Sequence, residues 1–376
     1  MKSPHRTLWG CLLISSCCVP NPNGYTVSTL AGTGAAGERD GPFGEATFSS
    51  PQGLALDSKA NVLYVADGTA IRKLDLTSRT VTTLAGGADA GFADGVGGAA
   101  AFDQAVGICL VSDGLLVTDG KELGTVGGAQ NQRIRHVSFD GTVTTLAGNG
   151  TAGYADGTPD RAEFDQPEGI WADGDGGIYV TDLFNYRVRE LDSSGVSTFA
   201  GRGAVALPTD QDWVGLPPPA IGITGAGQAN GQLALPWAIV GDGRGDLLVG
   251  DAAAVEWVTA GSVAQAAGNP NAPGTNDGPA AKASFDLVLA LAWAPGGLVV
   301  GDESCVRELI GTPQAVLNGG TVTTLAGLCG QAYQADFADG PGPAARFSVV
   351  TGLAADGIGT IYVSDAGNAR IRRMNR

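Results

Sequence analysis

The sequence predicts an all-β protein that folds as a six-bladed β-propeller. Two short motifs each occur six times along the chain, which is the pattern of a repeat architecture. Glycine accounts for 60 of the 376 residues, and this excess over the usual frequency of about 7% predicts many tight turns. Short apolar segments alternate with turn-forming residues, as in β-strands, and no helical period of useful length is present.

The first motif is an apolar run that ends in aspartate, and the second resembles Val-Thr-Thr-Leu-Ala-Gly. The first occurs as LYVAD (63–67), LLVTD (115–119), IYVTD (178–182), LLVGD (247–251), LVVGD (298–302) and IYVSD (361–365). The second occurs as VSTLAG (27–32), VTTLAG (81–86), VTTLAG (143–148), VSTFAG (196–201), VAQAAG (263–268) and VTTLAG (322–327). Six copies of both motifs predict six structural units.

Each unit is interpreted as four short strands, named a to d in chain order. In the first unit we predict strand a at 53–57, strand b at 62–67, strand c at 70–76 and strand d at 80–85. Apolar and polar residues alternate in c and d, and Asp, Gly, Ser and Asn cluster between the strands. Four-stranded units of this kind are typical of propeller blades, which bury their faces against neighbouring blades.

The two ends of the repeat region predict how the ring closes. The first unit is preceded by an unpaired strand of the d type (27–31), and the last unit finishes after a strand of the c type (369–374). The N-terminal strand can therefore complete the last blade. A ring closed in this way leaves no open sheet edge between its ends.

The order of the motifs resembles the NHL repeat family, of a bacterial lipoprotein type, over residues 26–376. The shared pattern is A-x-F-x-x-P-x-G, then Y-V-x-D, then N-x-R-I-R, then V-T-T-L-A-G. Blades 3 and 6 match best, with Phe164, Pro167, Gly169, Asp182, Asn185, Arg187 and Arg189, and with Phe347, Gly352, Asp365, Asn368, Arg370 and Arg372. Blade 4 departs most, because Glu256 replaces the expected arginine and residues 202–236 replace a short connection. The resemblance implies the fold but no particular activity.

Residues 1–16 are expected to be an export signal, with a basic start and a short apolar stretch at 7–14. The sequence Ile-Ser-Ser-Cys at 14–17 resembles a lipobox, so we expect lipidation at Cys17, with cleavage without lipidation as the alternative. Residues 17–25 then form a tether to the propeller of residues 26–376. This organisation predicts an exported protein, either an outer-membrane or periplasmic lipoprotein or a cell-surface protein, held at the membrane only through its lipid.

The net charge of −16 argues against binding to nucleic acid, whose phosphates such a surface repels. Solubility alone also explains the charge. Five blades place an arginine on strand c after the aspartate of strand b, so we expect an Asp–Arg pair at the blade surface. Five Asp-Gly pairs lie between strands d and a, where turn chemistry explains them; a weakly held Ca²⁺ is the alternative, and no other cofactor is expected. These pairs begin at Asp40, Asp94, Asp156, Asp277 and Asp339.

Catalysis is the less favoured function. Beyond the signal only His136 is present, so a multi-histidine zinc site cannot form, and its place on strand c disfavours a catalytic triad. The residues just before each strand a should line one mouth of the channel: Gln52, Val106, Glu168, Trp237, Leu289 and Thr351. One carboxylate is a poor ligand set for the divalent metal of a hydrolase or lyase of the gluconolactonase-like kind, which is the alternative function.

We instead expect a non-catalytic binding scaffold of the cell envelope, monomeric, that presents one propeller face to a protein or glycan. The face with the mouth also carries two insertions, at 120–132 and 202–236, and long loops on a rigid scaffold often bind partners. The candidate binding residues are Trp213, Phe184, Tyr186, Trp237 and Glu168, because aromatic residues are enriched at binding hot spots. The alternative is that these residues fold the loops back onto the disc.

Two cysteines of blade 5 are candidates for a disulfide bond. Cys305 begins strand c and Cys329 follows strand d, and exported proteins meet oxidising conditions. If the chain bends at Gly327, the sulfur atoms can come within bonding range; if strand d continues straight, they cannot. The alternative is two separate buried thiols.

Overall fold

The computed structural model describes residues 24–87, 89–120, 131–202, 232–317, 319–331 and 337–376. Six antiparallel sheets form the blades, and the first main strand of each blade contacts the first main strand of the next, around a complete ring. The predicted six-bladed β-propeller is therefore confirmed. Among the described residues, no helix is long and apolar enough to cross a bilayer.

The four main strands of each blade follow one another in the chain and in the sheet. Blade 1 contains β3 (Pro51–Asp57), β4 (Val62–Asp67), β5 (Ala70–Asp75) and β6 (Thr80–Gly86). Blade 2 contains β8 (Gln104–Val111), β9 (Gly114–Gly120), β10 (Gln132–Ser138) and β11 (Thr142–Gly150). Blade 3 contains β12 (Pro167–Ala172), β13 (Ile178–Asp182), β14 (Arg187–Asp192) and β15 (Gly195–Gly201).

The second half of the ring repeats this order. Blade 4 contains β16 (Pro236–Gly241), β17 (Leu247–Asp251), β18 (Ala254–Thr259) and β19 (Ser262–Gly268). Blade 5 contains β21 (Val288–Ala294), β22 (Gly297–Asp302), β23 (Cys305–Ile310) and β24 (Thr321–Gly327). Blade 6 contains β26 (Val350–Ala355), β27 (Ile361–Asp365), β28 (Arg370–Asn375) and, from the other end of the chain, β1 (Thr26–Ala31).

Within the described ranges, four blades carry a short fifth strand that the sequence did not reveal. Two-residue segments pair with the outer edge of the d strand in blades 1, 2, 5 and 6. They are β2 (Gly41–Pro42), β7 (Gly95–Val96), β20 (Gly278–Pro279) and β25 (Gly340–Pro341). A segment of two residues has no periodicity to detect, and it includes the glycine of an Asp-Gly pair. One turn of helix, α1 (Pro313–Leu317), also occupies the connection between strands c and d of blade 5.

The N-terminal strand closes the ring, as predicted. β1 lies between β28 and β25 in the sheet of blade 6, and Val27 pairs with Met374 on one side and with Gly340 on the other. Val27 and Met374 are fully buried in the cluster between blades 5 and 6. Strand β1 is therefore an interior strand of its blade.

The innermost strands approach one another closely at glycine residues. A Cβ atom at any of four glycines of strand a would clash with a backbone carbonyl oxygen of the next blade; these are Gly53, Gly107, Gly169 and Gly352. The carbonyl groups concerned belong to Val106, Glu168, Trp237 and Gln52. Because glycine has no Cβ atom, neighbouring a strands can approach one another closely at these positions. The residues predicted at the channel mouth therefore lie close to the axis of the disc.

Each expected Asp–Arg pair is buried inside its blade, which corrects the placement at the surface. In blade 1 the Arg72 side chain is fully buried, and its Nη1 donates to Asp67 Oδ2 at 2.9 Å. Its Nη2 donates to Asp40 Oδ1, also at 2.9 Å, and the guanidinium lies 5.4 Å from the centre of the Phe48 ring. Burial is possible because two carboxylates and two backbone carbonyl groups accept its N–H groups.

Four further blades repeat this arrangement. Their arginines, each followed by its strand-b aspartate and its Asp-Gly aspartate, are Arg135 with Asp119 and Asp94, Arg189 with Asp182 and Asp156, Arg307 with Asp302 and Asp277, and Arg372 with Asp365 and Asp339. The aspartate of the Asp-Gly pair therefore does more than form a turn. It ties the connection that precedes each blade to the arginine inside that blade.

Candidate ligand-binding face

The six residues predicted at the channel mouth lie together in the structure. Gln52, Val106, Glu168, Trp237, Leu289 and Thr351 line one cavity of about 130 Å³ at the inner ends of the a strands. The remaining lining consists of glycine and aliphatic residues of the same strands. The mouth is therefore small, and Gln52, Glu168, Trp237 and Thr351 carry its polar side-chain groups.

Glu168 is the single carboxyl group among the described residues of this cavity. Its side chain is 5% exposed, and burial raises its pKa to about 8, so the carboxyl is mainly neutral at pH 7. Gln166 Nε2 donates to Glu168 Oε1 at 3.1 Å, and Gln132 Oε1 accepts the backbone N–H of Gln166 at 2.8 Å. A chain of uncharged amide groups thus supports the acid.

Three of the predicted aromatic residues form one cluster beside the mouth. Tyr186 is buried with Leu183, and Phe184 and Trp237 pack against this group while partly exposed. Tyr186 adopts a left-handed backbone conformation, with φ of 56°, which turns the chain sharply after Phe184. Burial also raises the pKa of Tyr186 to about 12. The aromatic surface and the mouth are therefore continuous through Trp237.

The Trp237 side chain contributes an unused hydrogen-bond donor. Its Nε1–H is buried and has no acceptor in the part of the chain that the structure describes. A buried donor without an acceptor is uncommon in folded proteins, and a ligand or water commonly accepts such a bond. Two other predicted residues, Trp213 and Cys17, lie outside the described residues.

The mouth does not fit the divalent metal of a gluconolactonase-like enzyme. Such an ion takes several oxygen ligands with negative charge, whereas the described mouth residues supply one carboxyl, held neutral by burial. His136 is also far from the mouth in the fold: it lines a separate cavity of about 760 Å³ formed by the connections between strands a and b. Its Nε2 lies 3.4 Å from Asp113 Oδ1.

Cys305 and Cys329 form a disulfide bond in blade 5, with Cα atoms 4.9 Å apart. Cys305 is opposite Gly327 in the sheet, and strand β24 ends there because Gly327 has a φ of 90°. The bend brings Cys329 back over Cys305. Cys109 is a free, partly buried thiol on strand a, and burial raises its pKa.

We expect the disulfide to stabilise the protein by about 3 kcal/mol, because it closes a loop between residues 305 and 329 in the unfolded chain. Replacing both cysteines by serine should lower the free energy of unfolding by that amount in urea titrations. A reducing agent should bring the natural protein to the same stability and leave the variant unchanged. Non-reducing peptide mapping that finds free, alkylatable thiols at both positions would contradict the expectation.

Comparison with known proteins supports the repeat family. The chain is 33% identical over 171 residues to the chloroplastic protein Suppressor of Quenching 1 of Arabidopsis thaliana, a match that covers 43% of this chain and 16% of that protein. It is 50% identical over 66 residues to NHL repeat-containing protein 2 of Gallus gallus, covering 17% of this chain and 9% of that protein. The chain thus spans under a fifth of the length of these relatives. No protein-family model matches the sequence.

Solved structures share the fold at low sequence identity. An auxiliary nutrient binding protein from Bacteroides thetaiotaomicron is 16% identical, with a TM-score of 0.62 and coverage of 93% of this chain and 76% of that one. A gluconolactonase from Xanthomonas campestris is 12% identical, with a TM-score of 0.53 and coverage of 93% and 89%. These structures show the fold alone; the sequence matches and the six-bladed architecture together support an NHL-repeat β-propeller.

Proposed function

We propose that this propeller is a non-catalytic binding protein of the cell envelope, and that its mouth face binds a neutral glycan. The observation that carries the proposal is the chemistry of the mouth: amide, hydroxyl and indole groups and a neutral carboxyl, beside the partly exposed rings of Phe184 and Trp237. Ligand sites commonly combine apolar walls with a few convergent polar groups. The nutrient-binding propeller shares only the fold, so the support comes from these residues.

A neutral glycan fits this surface better than a charged ligand. Its hydroxyl groups can accept from Trp237 Nε1 and exchange hydrogen bonds with Gln52, Glu168 and Thr351, and its apolar ring faces can pack on Trp237 and Phe184. No full charge is available at the mouth, among the described residues, to compensate a charged ligand. The absence of several carboxylate ligands there disfavours the alternative, a metal-dependent hydrolase or lyase.

The rest of the proposal concerns position in the cell. Lipid attached to Cys17 would hold a monomeric disc at the membrane, with residues 17–25 as the tether, and Trp213 in the insertion before blade 4 would extend the binding face. Nucleic acid is not a partner in this proposal, because the chain carries a net charge of −16. Ca²⁺ would have no part in glycan binding.

The test is binding of the full chain to an array of neutral, acidic and basic glycans, followed by calorimetry with the best oligosaccharide. We expect neutral glycans to bind, and Trp237→Phe to weaken binding about tenfold, because it removes one hydrogen-bond donor. Trp293→Phe is the matched control. Trp293 Nε1 donates to Gly241 O at 2.8 Å, near the opposite end of the neighbouring strand a.

Three outcomes would overturn the proposal. Equal loss of affinity in both tryptophan variants would place binding away from the mouth. Binding of proteins but of no glycan would favour a protein partner. Hydrolysis of lactones that a chelator stops and that Glu168→Gln abolishes would favour the enzyme.

A further inference from the structure

Blade 4 breaks the arrangement that the other five blades share. In those blades a buried arginine on strand c lies opposite a valine of strand b, as in Arg72 with Val65. Glu256 occupies the same register position, opposite Val249. Because side chains alternate along a strand, the Glu256 side chain enters the blade where the guanidinium lies elsewhere. The five buried guanidinium groups make this a place where the fold accommodates a cation.

The neighbouring aspartate is unchanged in blade 4. Asp251 is fully buried, and its Oδ1 accepts the backbone N–H of Ala234 at 2.8 Å, as the equivalent Asp67 Oδ1 accepts that of Ser49. In blade 1 the second oxygen, Asp67 Oδ2, accepts an arginine N–H. Asp251 Oδ2 accepts the same backbone N–H of Ala234, at 2.9 Å, and no arginine. Neither Asp251 nor Glu256 forms an ion pair with a described residue.

Glu256 is itself buried and unpartnered. Glu256 is 1% exposed, and neither Oε1 nor Oε2 has a hydrogen-bond partner among the residues that the structure describes. Burial, and then the charge of Asp251, raises the pKa of Glu256 to about 8. Buried carboxyl groups in proteins are usually hydrogen-bonded, paired with a cation or bound to a metal. Glu256 therefore lacks a cationic partner, although the other five blades hold a buried cation at the equivalent place.

We infer that a hard divalent cation, with Ca²⁺ as its probe, binds between Asp251 and Glu256 in the place of the missing guanidinium. A divalent ion that displaces the proton of Glu256 would neutralise the two carboxylates, which have no arginine between them to do so. Oxygen ligands are what Ca²⁺ prefers. The carbonyl oxygen of Gln232 is a candidate third ligand, since the equivalent Thr47 O accepts an arginine N–H in blade 1. This site holds blade 4 together and is separate from the glycan site.

The test uses the full chain after exhaustive chelation, with thermal unfolding measured in EDTA and in 1 mM Ca²⁺, Mg²⁺ or Mn²⁺. We expect Ca²⁺ to raise the melting temperature by about 5 °C or more, and equilibrium dialysis to find a bound ion that is lost in Glu256→Gln. Glu256→Arg restores the consensus arginine. It should melt in EDTA near the temperature of the calcium-loaded natural protein and should no longer respond to Ca²⁺.

Glu190→Gln is the matched control. This substitution makes the same change of charge on strand c of blade 3, but the Glu190 carboxylate already accepts a hydrogen bond from Tyr179 Oη at 3.2 Å. It should keep the response to Ca²⁺, as should Trp237→Phe at the mouth. A natural protein that none of the three ions stabilises would overturn the inference and leave Glu256 as a buried neutral acid. A response to Ca²⁺ that persists in both Glu256 variants would also overturn it, because the ion would then bind elsewhere. If Glu256→Arg does not fold, the Glu256→Gln result decides.

Discussion

Deleting residues 1–32 should destabilise the whole protein by about 6 kcal/mol or prevent folding. The deletion removes β1, and with it the buried side chains of Tyr25, Val27, Leu30 and Ala31. Full burial of each larger apolar side chain contributes roughly 1.5–3 kcal/mol. The edge of β28 would also lose its backbone partners. Urea unfolding of the truncated chain measures the loss.

Deleting only residues 1–23 is the control, because this shorter deletion leaves β1 in place. Its free energy of unfolding should equal that of the full chain. If the two truncated proteins were equally stable, pairing of the N-terminal strand would not close the ring.

Replacing a buried arginine of the blades should be nearly as damaging. We expect Arg189→Met to lower the free energy of unfolding by about 3–5 kcal/mol, because it leaves Asp182 buried without its cation. In the structure Arg189 Nη1 and Nη2 donate to Asp182 and Asp156, both at 2.6 Å. Arg187→Met is the control: Arg187 stacks on the half-exposed ring of Tyr154 and should contribute less than about 1 kcal/mol.

The two variants can be compared in urea at pH 7. We attribute the stability of the blade to the buried Asp–Arg network and not to arginine stacking in general. If Arg189→Met and Arg187→Met lowered the free energy of unfolding equally, this interpretation would be wrong. Asp182→Asn adds a further check. In the Arg189→Met background, Asp182→Asn should lower the free energy of unfolding only slightly further, because the two residues belong to one network and their effects are not additive.

The fold was predictable because its rules are local and repeated six times. The aspartate that ends strand b is buried in every blade, and each of the six mouth residues lies near the start of a strand a. The surface placement of the Asp–Arg pairs was wrong for a physical reason. The sequence does not reveal that Asp40 and its equivalents supply a second carboxylate to the arginine, and with that second acceptor the guanidinium can be fully buried.

The candidate binding site was predictable only in part. Phe184, Tyr186 and Trp237 were expected on one face and do lie together, because the blade geometry fixes where strands begin and end. The buried, neutral state of Glu168 could not be read from the sequence, since it depends on how closely the a strands approach. The sequence likewise could not reveal that the indole N–H of Trp237 lacks an acceptor among the described residues, because this depends on the positions of the surrounding groups in three dimensions.

The pairing of β1 with β28 has a consequence for the order of folding. These strands lie at opposite ends of the described chain, whereas the main strands of blades 1 to 5 pair with their neighbours in sequence. Contacts between distant segments require closure of a long loop, which costs entropy and slows folding. We therefore expect the ring to close last, after the individual hairpins form. Weakening this contact should then mainly speed unfolding and leave the folding rate little changed, because interactions absent from the transition state act on the unfolding rate.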